Sequence, residues 1–345
     1  MFKHLAGNER VKELLRRMLA AGRVPGALLF AGEEGVGKKL FALEVAKALN
    51  CRTPVGVEAC DKCAACQRAV RFTLPASDDK DAHKKIIWSE HADVGLARPY
   101  NRAVLVDQMR DLEREANFRP YEGRARVFLI DEADKLNEAS SNALLKTLEE
   151  PPQGSFLMLV TARPAALLPT IRSRCQTVRF SPLSTLEIEE RLRQEKKIAQ
   201  RDVPLLARAA RGSIGRALSL DLEGYRERRE AMLEVLQSLA LKEDRARLLR
   251  IAEEMNDAKR KEEYEPRLDV LETLIRDVWM LKVGVAPEQI VNVDLGAQLA
   301  KISERVESRR AANWLKSVET LRGQLAVNIN RKVATDALFL SMAVA

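Results

Sequence analysis

Short apolar runs alternate with helical patterns along the first half of the chain. Residues 27–31, 126–131, 156–162 and 177–180 are mostly apolar runs of strand length, which predicts four strands. Segments with apolar residues at helical spacing separate these runs, and this alternation is typical of a parallel sheet with helices on both faces. The strand pattern does not continue further, so we predict an α/β domain over residues 1–182.

The second half of the chain carries helical patterns alone. Ser184 and Glu187 form a capping-box pattern that predicts a helix start, and short helices over residues 183–222 are predicted to form a small lid. Beyond them, apolar residues recur at helical spacing, which predicts an all-α domain over residues 223–345. The charged segment 256–267 is predicted to be an exposed connection inside that domain.

A glycine-rich loop with the sequence Gly-Glu-Glu-Gly-Val-Gly-Lys-Lys follows the first predicted strand and precedes a helical segment. Glycines let backbone N–H groups turn toward phosphate oxygens, and the helix N-terminus adds partial positive charge. The residues predicted to form a nucleotide phosphate site are Gly32, Gly35, Gly37, Lys38 and Lys39. Lys39 stands where a hydroxyl side chain would ligate magnesium. The sequence therefore leaves two alternatives open, ATP with magnesium or a retained architecture that has lost hydrolysis or nucleotide binding.

The apolar run at residues 126–131 ends in two carboxylates, Asp131 and Glu132. In a nucleotide site of this kind the first acid would hold the metal through water, and the second would orient the attacking water. These two residues are therefore the candidate acids of an active site, with Glu132 catalytic if the site is active.

Four of the five cysteines follow the phosphate-loop helix in a C-x8-C-x2-C-x2-C pattern. Thiolates at this spacing are typical of tetrahedral zinc sites, and a full set of four protein ligands predicts a structural ion rather than a catalytic one. The predicted zinc ligands, within a module at residues 51–66, are Cys51, Cys60, Cys63 and Cys66.

Charge and hydropathy bear on the partners and the cellular location of the protein. The formal net charge is +8, which favours contact with a polyanion such as nucleic acid, although solvated helix faces account equally well for basic residues spread along the chain. No stretch of 18 consecutive apolar residues occurs, and the first residues alternate charged with apolar side chains. We expect a cytoplasmic protein with no membrane partner.

Three further motifs resemble one family. They are the blocks NALLKTLEEPP at residues 142–152, IRSRC at residues 171–175 and GSIGRAL at residues 212–218. Together with the phosphate loop, they resemble the AAA+ clamp-loader family over about the first two thirds of the chain. The resemblance implies a P-loop AAA+ domain with an inserted zinc module, a small helical lid and an all-α C-terminal collar domain.

The resemblance also implies residue roles and partners. Arg174 matches the arginine that projects to ATP on a neighbouring subunit, and Thr161 and Arg216 match residues that sense the bound nucleotide. The implied partners are other clamp-loader subunits in a hetero-oligomeric ring, the sliding clamp and primer-template DNA. Bacterial clamp-loader subunits carry a four-cysteine zinc module at the same point of the chain.

Within the family, the choice lies between an ATP-hydrolysing motor subunit and a subunit that completes the ring and donates its arginine. Lys39 and the single helical domain after the lid favour the ring-completing subunit. The intact Asp131–Glu132 pair keeps the motor alternative open. A stand-alone DNA-remodelling ATPase is a third alternative, which DNA-stimulated hydrolysis by the isolated chain would reveal.

Overall fold

The computed structural model describes residues 1–195, 197–325 and 329–344, with the side chains of residues 258–260 excepted. The chain divides into two compact units. One unit comprises Met1–Gln200 and Ala210–Leu218, and the other comprises Arg201–Ala209 and Ser219–Ala345.

Over the described residues the chain forms six strands, all in the sheet of the first unit. They are β1 (Ala27–Ala31), β2 (Ile87–Trp88), β3 (Val94–Ala97), β4 (Arg126–Ile130), β5 (Ser155–Thr161) and β6 (Gln176–Arg179). The order in the sheet is β2-β3-β4-β5-β1-β6, and every neighbouring pair is parallel except β2 with β3.

The same described residues form fifteen α-helices. They are α1 (Glu9–Ala20), α2 (Lys38–Asn50), α3 (Ala64–Arg68), α4 (Val106–Ala116), α5 (Glu138–Glu149), α6 (Pro169–Arg174), α7 (Thr185–Arg193), α8 (Val203–Ala209), α9 (Ile214–Ser219), α10 (Leu222–Gln237), α11 (Arg245–Met255), α12 (Tyr264–Lys282), α13 (Gly296–Arg305), α14 (Ser308–Leu325) and α15 (Arg331–Val344).

Both faces of the sheet are covered, which explains why its central strands are apolar without alternation. Leu28 and Phe30 of β1 belong to one buried cluster with residues of α1 and α2. Leu29 of β1 belongs to a second cluster with residues of α4, α5 and α6, such as Leu112 and Leu144. The predicted α/β fold with helices on both faces is confirmed.

The four predicted strands are present, with ends displaced by at most one residue, but β2 and β3 were not predicted. The β3 run carries Gly95, where a Cβ atom would lie 2.5 Å from Ile86 Cγ2. Only glycine fits between these packed neighbours, and glycine weakens the sequence pattern of a strand. The two-residue β2 is too short to give any periodic signal.

The second unit is helical over its described residues and has its own core. Trp314 is fully buried there, and its Nε1–H donates to the carbonyl oxygen of Met342 at 2.8 Å. The prediction of an exposed connection at residues 256–267 is wrong at its C-terminal end, because Tyr264 begins α12 and is buried. Its hydroxyl lies 2.7 Å from Thr335 Oγ1 on α15. No helix among the described residues combines the length and apolar character needed to cross a bilayer.

Candidate nucleotide site, arginine and cysteine cluster

The glycine-rich loop connects β1 to the N-terminus of α2. Gly35 and Gly37 have φ values of 75° and 95°, a region that favours glycine. At Gly32, a Cβ atom would lie 2.6 Å from the carbonyl oxygen of Phe180. The three glycines are therefore required by backbone geometry, and they leave the N-terminus of α2 accessible to an anion.

Lys38 is the first residue of α2 and is mostly buried. Its ammonium donates to the carbonyl oxygens of Gly32 at 2.8 Å and Glu33 at 2.5 Å, so it lies within the loop that would hold a phosphate chain. Burial lowers the pKa of Lys38, although nearby carboxylates such as Glu34 act in the opposite direction.

Lys39 contacts the acidic end of β4. Its Nζ donates to Asp131 Oδ2 at 2.8 Å, and the other oxygen of that carboxylate accepts the backbone N–H of Glu132 at 3.2 Å. Lys39 lies on α2, which follows β1, and Asp131 follows β4. Because β5 lies between β1 and β4 in the sheet, this contact reaches across the end of β5. The residue that replaces the magnesium-ligating hydroxyl is thus paired with the acid predicted to hold the metal.

The residues after Asp131 are also paired. Glu132 adopts a left-handed backbone (φ 47°), and its carboxylate lies 3.0 Å from Lys135 Nζ. Asp134 accepts the Thr161 hydroxyl at 2.8 Å and the Arg163 guanidinium at 2.7 and 3.0 Å. Burial acts to raise the pKa of Asp134, but the hydrogen bonds from Arg163 and Thr161 outweigh it and hold the pKa below its ordinary value.

A cavity of about 1070 Å³ opens beside the loop, large enough for a nucleotide. It brings together most of the predicted nucleotide-site residues, and the N-terminal residues His4 and Leu5 also line it. The members from the prediction are Gly35, Gly37, Lys38, Lys39, Asp131, Glu132 and Thr161.

Helix α9 contacts the phosphate loop directly. The backbone N–H of Gly215 donates to the carbonyl oxygen of Gly35 at 2.9 Å, and a Cβ atom at Gly35 would lie 2.1 Å from Ser213 Oγ. Arg216 follows on the same helix, with its backbone N–H donating to Ser213 Oγ at 3.1 Å. Ile214, Gly215 and Leu218 line the cavity. The assignment of Arg216 as a nucleotide sensor stays a prediction.

Arg174 and the phosphate loop lie at opposite ends of two neighbouring parallel strands, with Arg174 before the start of β6 and the loop after the end of β1. Arg174 ends α6 just before β6, and β6 runs parallel to β1 with Gln176 level with Leu28. The loop begins beyond the carboxyl end of β1, about 13 Å further along at 3.3 Å per residue. The guanidinium contacts Glu149 Oε1 at 2.5 Å and the carbonyl oxygen of Thr170 at 3.0 Å.

The four cysteines converge after α2. Cys63 caps α3 and Cys66 lies within it, and the four sulfur atoms all lie within 4.8 Å of one another. Zinc–sulfur bonds of about 2.3 Å require sulfur atoms about 3.8 Å apart in a tetrahedron. Three of the sulfur–sulfur distances are 3.5 to 4.0 Å, which fits that requirement, so the cluster can hold a metal ion.

Hydrogen bonds and ion pairs hold this module in place. Hydrogen bonds from the Thr53 hydroxyl, at 3.3 Å, and from the backbone N–H groups of Cys63 and Lys62 lower the pKa of the Cys60 thiol to about 5. Asp61, between two of the cysteines, pairs with Lys47 of α2, and Glu58 accepts from Arg16 Nε of α1 at 2.6 Å. The donor set and its supports suit a closed structural site.

Sequence reasoning missed two cations beside the acidic strand end, Lys135 and Arg163. Arg163 comes two residues after the end of β5, and nothing in its local sequence identifies its partner 29 residues away. Because neighbouring parallel strands end on the same side of a sheet, the pairing of β4 with β5 could have suggested the contact between Arg163 and Asp134.

A phosphate loop after β1, paired acids after β4 and the strand β5 between them define a P-loop nucleotide-binding fold. Residues 7–184 of the chain match the family described as DNA polymerase III, delta subunit. Residues 226–342 match the family described as DNA polymerase III, delta subunit, C terminal. The chain therefore belongs to the DNA polymerase III delta-subunit family.

Individual relatives refine this assignment. The chain is 28% identical to DNA polymerase III subunit delta prime of Bacillus subtilis, over 96% of this chain and 95% of that protein. It is 30% identical to the delta prime subunit of Escherichia coli, over 93% and 89%. The match to the E. coli subunit tau is 36% but covers 64% of this chain and 32% of that protein. The similarity to the two delta prime subunits thus extends over nearly the whole chain, whereas the similarity to tau does not. The chain is a delta prime-type clamp-loader subunit.

Proposed function

We propose that this chain completes a hetero-oligomeric ring with motor and delta-type clamp-loader subunits and supplies Arg174 to ATP bound by a neighbouring motor subunit. The position of Arg174 carries the proposal. It lies about one strand length from its own phosphate loop, at the opposite end of the parallel strands, so its own nucleotide is out of reach. A phosphate on another molecule remains the reachable target.

Arginine suits this role physically. Its planar guanidinium keeps its charge at all relevant pH values and offers several N–H donors to the oxygens of a transferring phosphoryl group. In the proposed mechanism, the arginine couples the nucleotide state of the neighbour to ring opening around the sliding clamp and primer-template DNA. The net charge of +8 favours contact with that DNA.

The chain itself does not hydrolyse ATP in this proposal. Lys39 supplies no magnesium-ligating hydroxyl, and its ammonium is paired with Asp131. The alternative of a motor subunit requires hydrolysis by the purified chain that is lost in Lys38→Ala. Catalysis by Glu132 belongs to that alternative alone.

The cysteine cluster is proposed to hold a structural zinc ion, with Cys51, Cys60, Cys63 and Cys66 as its four ligands. Zinc would fix the segment between α2 and α3 and leave no open coordination position for chemistry. The Lys47–Asp61 pair supports this role, because it fastens the cysteine-bearing loop to the phosphate-loop helix.

The proposed division of labour follows the sequence boundaries: residues 1–182 as the nucleotide-binding fold, 183–222 as the lid and 223–345 as the collar that holds subunits together. The separate helical core supports an independent assembly role for the C-terminal part. The proposed setting is the cytoplasm, where replication proteins act on DNA.

The decisive experiment reconstitutes the loader with Arg174→Ala and measures ATP turnover on primed DNA with the clamp. Loss of an arginine of this kind lowers ATP turnover by about 10³-fold or more at the neighbouring site that the arginine contacts. Arg174→Lys is the matched variant, and it should fail similarly because lysine lacks the planar fork. Size-exclusion chromatography confirms assembly. Unchanged turnover in an assembled Arg174→Ala loader would refute the proposal.

A further inference from the structure

Cations of this chain neutralise three carboxylates at and just after the end of β4. Asp131 pairs with Lys39 at 2.8 Å, Glu132 with Lys135 at 3.0 Å, and Asp134 with Arg163 at 2.7 Å. Because each carboxylate is paired with a cation, the three pairs together carry no net negative charge that would attract a divalent cation.

Magnesium does not fit this arrangement. It requires oxygen ligands in a near-octahedral set, whereas a protonated lysine has no lone pair to donate. The Lys39 ammonium already lies 2.8 Å from Asp131 Oδ2, so a dication on the same carboxylate would face a positive charge at short range. The residue at the position of the magnesium-ligating hydroxyl and the acid predicted to hold the metal are here bonded to each other.

The features that bind a phosphate chain are nevertheless retained. Gly35 and Gly37 have the left-handed backbone of the loop, the first turn of α2 points toward the cavity, and Lys38 lies within the loop. The Lys39 ammonium, held on the strand edge by Asp131, adds a second positive charge beside the same cavity.

We infer that the phosphate loop binds the polyphosphate of a nucleoside triphosphate without magnesium, with the Lys39 ammonium taking the place of the metal. The nucleotide is favoured over inorganic triphosphate because the cavity extends past apolar residues, among them Leu5, Ile214 and Leu218, which suit a base and sugar. The bound nucleotide is a stabilising ligand that is not turned over. This inference rests on the nucleotide-binding fold and is independent of whether Arg174 acts in trans.

The test is equilibrium binding of ATP to the full chain, in buffer freed of magnesium by a chelating resin and in the same buffer with magnesium added. EDTA is avoided because it would also extract metal from the cysteine cluster. We expect added magnesium to weaken binding to the wild type, because it chelates ATP and so competes with a site that takes the nucleotide without the metal. In Lys39→Thr, which restores a hydroxyl and frees Asp131, magnesium should tighten binding by about tenfold or more.

Three controls make the result specific. Lys38→Ala should abolish binding, and Lys301→Thr, on an exposed position of α13, should behave like the wild type. Inorganic triphosphate should bind at least about tenfold more weakly than ATP. The wild-type comparison needs no variant to fold.

Several results would overturn the inference. They are a wild-type chain that needs magnesium, one that binds no ATP in either buffer, binding that survives Lys38→Ala, and inorganic triphosphate that binds as tightly as ATP. None of them affects the turnover experiment on Arg174, so the two proposals fail separately.

Discussion

The guanidinium of Arg174 is held by Glu149, with Nη2 2.5 Å from Oε1. Glu149 is the last residue of α5 and Arg174 the last residue of α6, so two neighbouring helix ends form the contact. An arginine that reaches a neighbouring subunit must first leave this carboxylate. Both side chains are partly exposed, which keeps the cost of separation small.

This contact predicts the effect of Glu149→Gln in the reconstituted loader. Removing an exposed ion pair worth about 0–1 kcal/mol frees the guanidinium, so ATP turnover should rise, by no more than about fivefold. Glu150→Gln, an exposed neighbour of the same residue type, is the matched control and should leave turnover unchanged. A fall in turnover with Glu149→Gln would show instead that Glu149 positions the arginine.

The cysteine cluster predicts a metal content. The purified chain should carry about one zinc ion, and Cys60→Ser should lose it and lower the thermal unfolding temperature, because one of four ligands is removed. Cys175→Ser is the control, since Cys175 is buried in the core on the α5 and α6 side of the sheet. Metal analysis by mass spectrometry measures both variants. Zinc retained in Cys60→Ser, or lost in Cys175→Ser, would contradict the ligand assignment.

A buried carboxylate in the first unit, Asp93, predicts a stability effect. Asp93 is fully buried and accepts three backbone N–H groups, from Tyr121 at 2.6 Å, Glu122 at 2.9 Å and Gly123 at 2.7 Å. Asp93→Ala leaves these donors without their acceptor and should lower the free energy of unfolding by about 3 kcal/mol. Urea denaturation of the first-unit transition measures the change. The exposed Asp78→Ala should be neutral, and a loss below about 1 kcal/mol in Asp93→Ala would refute the estimate.

His91 predicts a pH dependence of stability. It is almost fully buried, its Nδ1 accepts the backbone N–H of Asp93 at 3.2 Å, and Glu122 lies 3.7 Å away. Burial lowers the pKa of His91, although Glu122 and Asp93 act to raise it, while Arg68 and Arg52 act to lower it further. The folded protein therefore favours the neutral ring.

The sign of the effect follows from linkage. At acidic pH the unfolded chain binds more protons at this site than the folded chain, so stability rises with pH. The contribution of His91 is fully present above the unfolded pKa of about 6.5 and is lost as the pH falls toward the lower folded pKa. Thermal unfolding midpoints of the wild type and His91→Asn, measured from about pH 7.5 to about pH 5.5, test this. The wild type should lose more stability than His91→Asn. Equal losses would contradict the prediction, because any acid effect on the metal site is common to both.

Much of the fold was predictable because its signals are local. Apolar runs revealed four strands, glycine spacing revealed the phosphate loop, and the Ser184–Glu187 capping box appears as predicted at the start of α7. The β2 and β3 strands escaped prediction because one is too short and the other contains Gly95, so their pairing depends on the sheet rather than on their own residues.

By itself, the sequence determined the class of the fold, the phosphate loop and the four-cysteine pattern, since each is written in residues close together along the chain. Only the tertiary structure decided that Lys39 pairs with Asp131, 92 residues away, and that Arg163 joins Asp134. It also decided that Arg174 and the phosphate loop lie at opposite ends of neighbouring parallel strands. Strand order and direction set these relationships, and neither is encoded in the residues that meet.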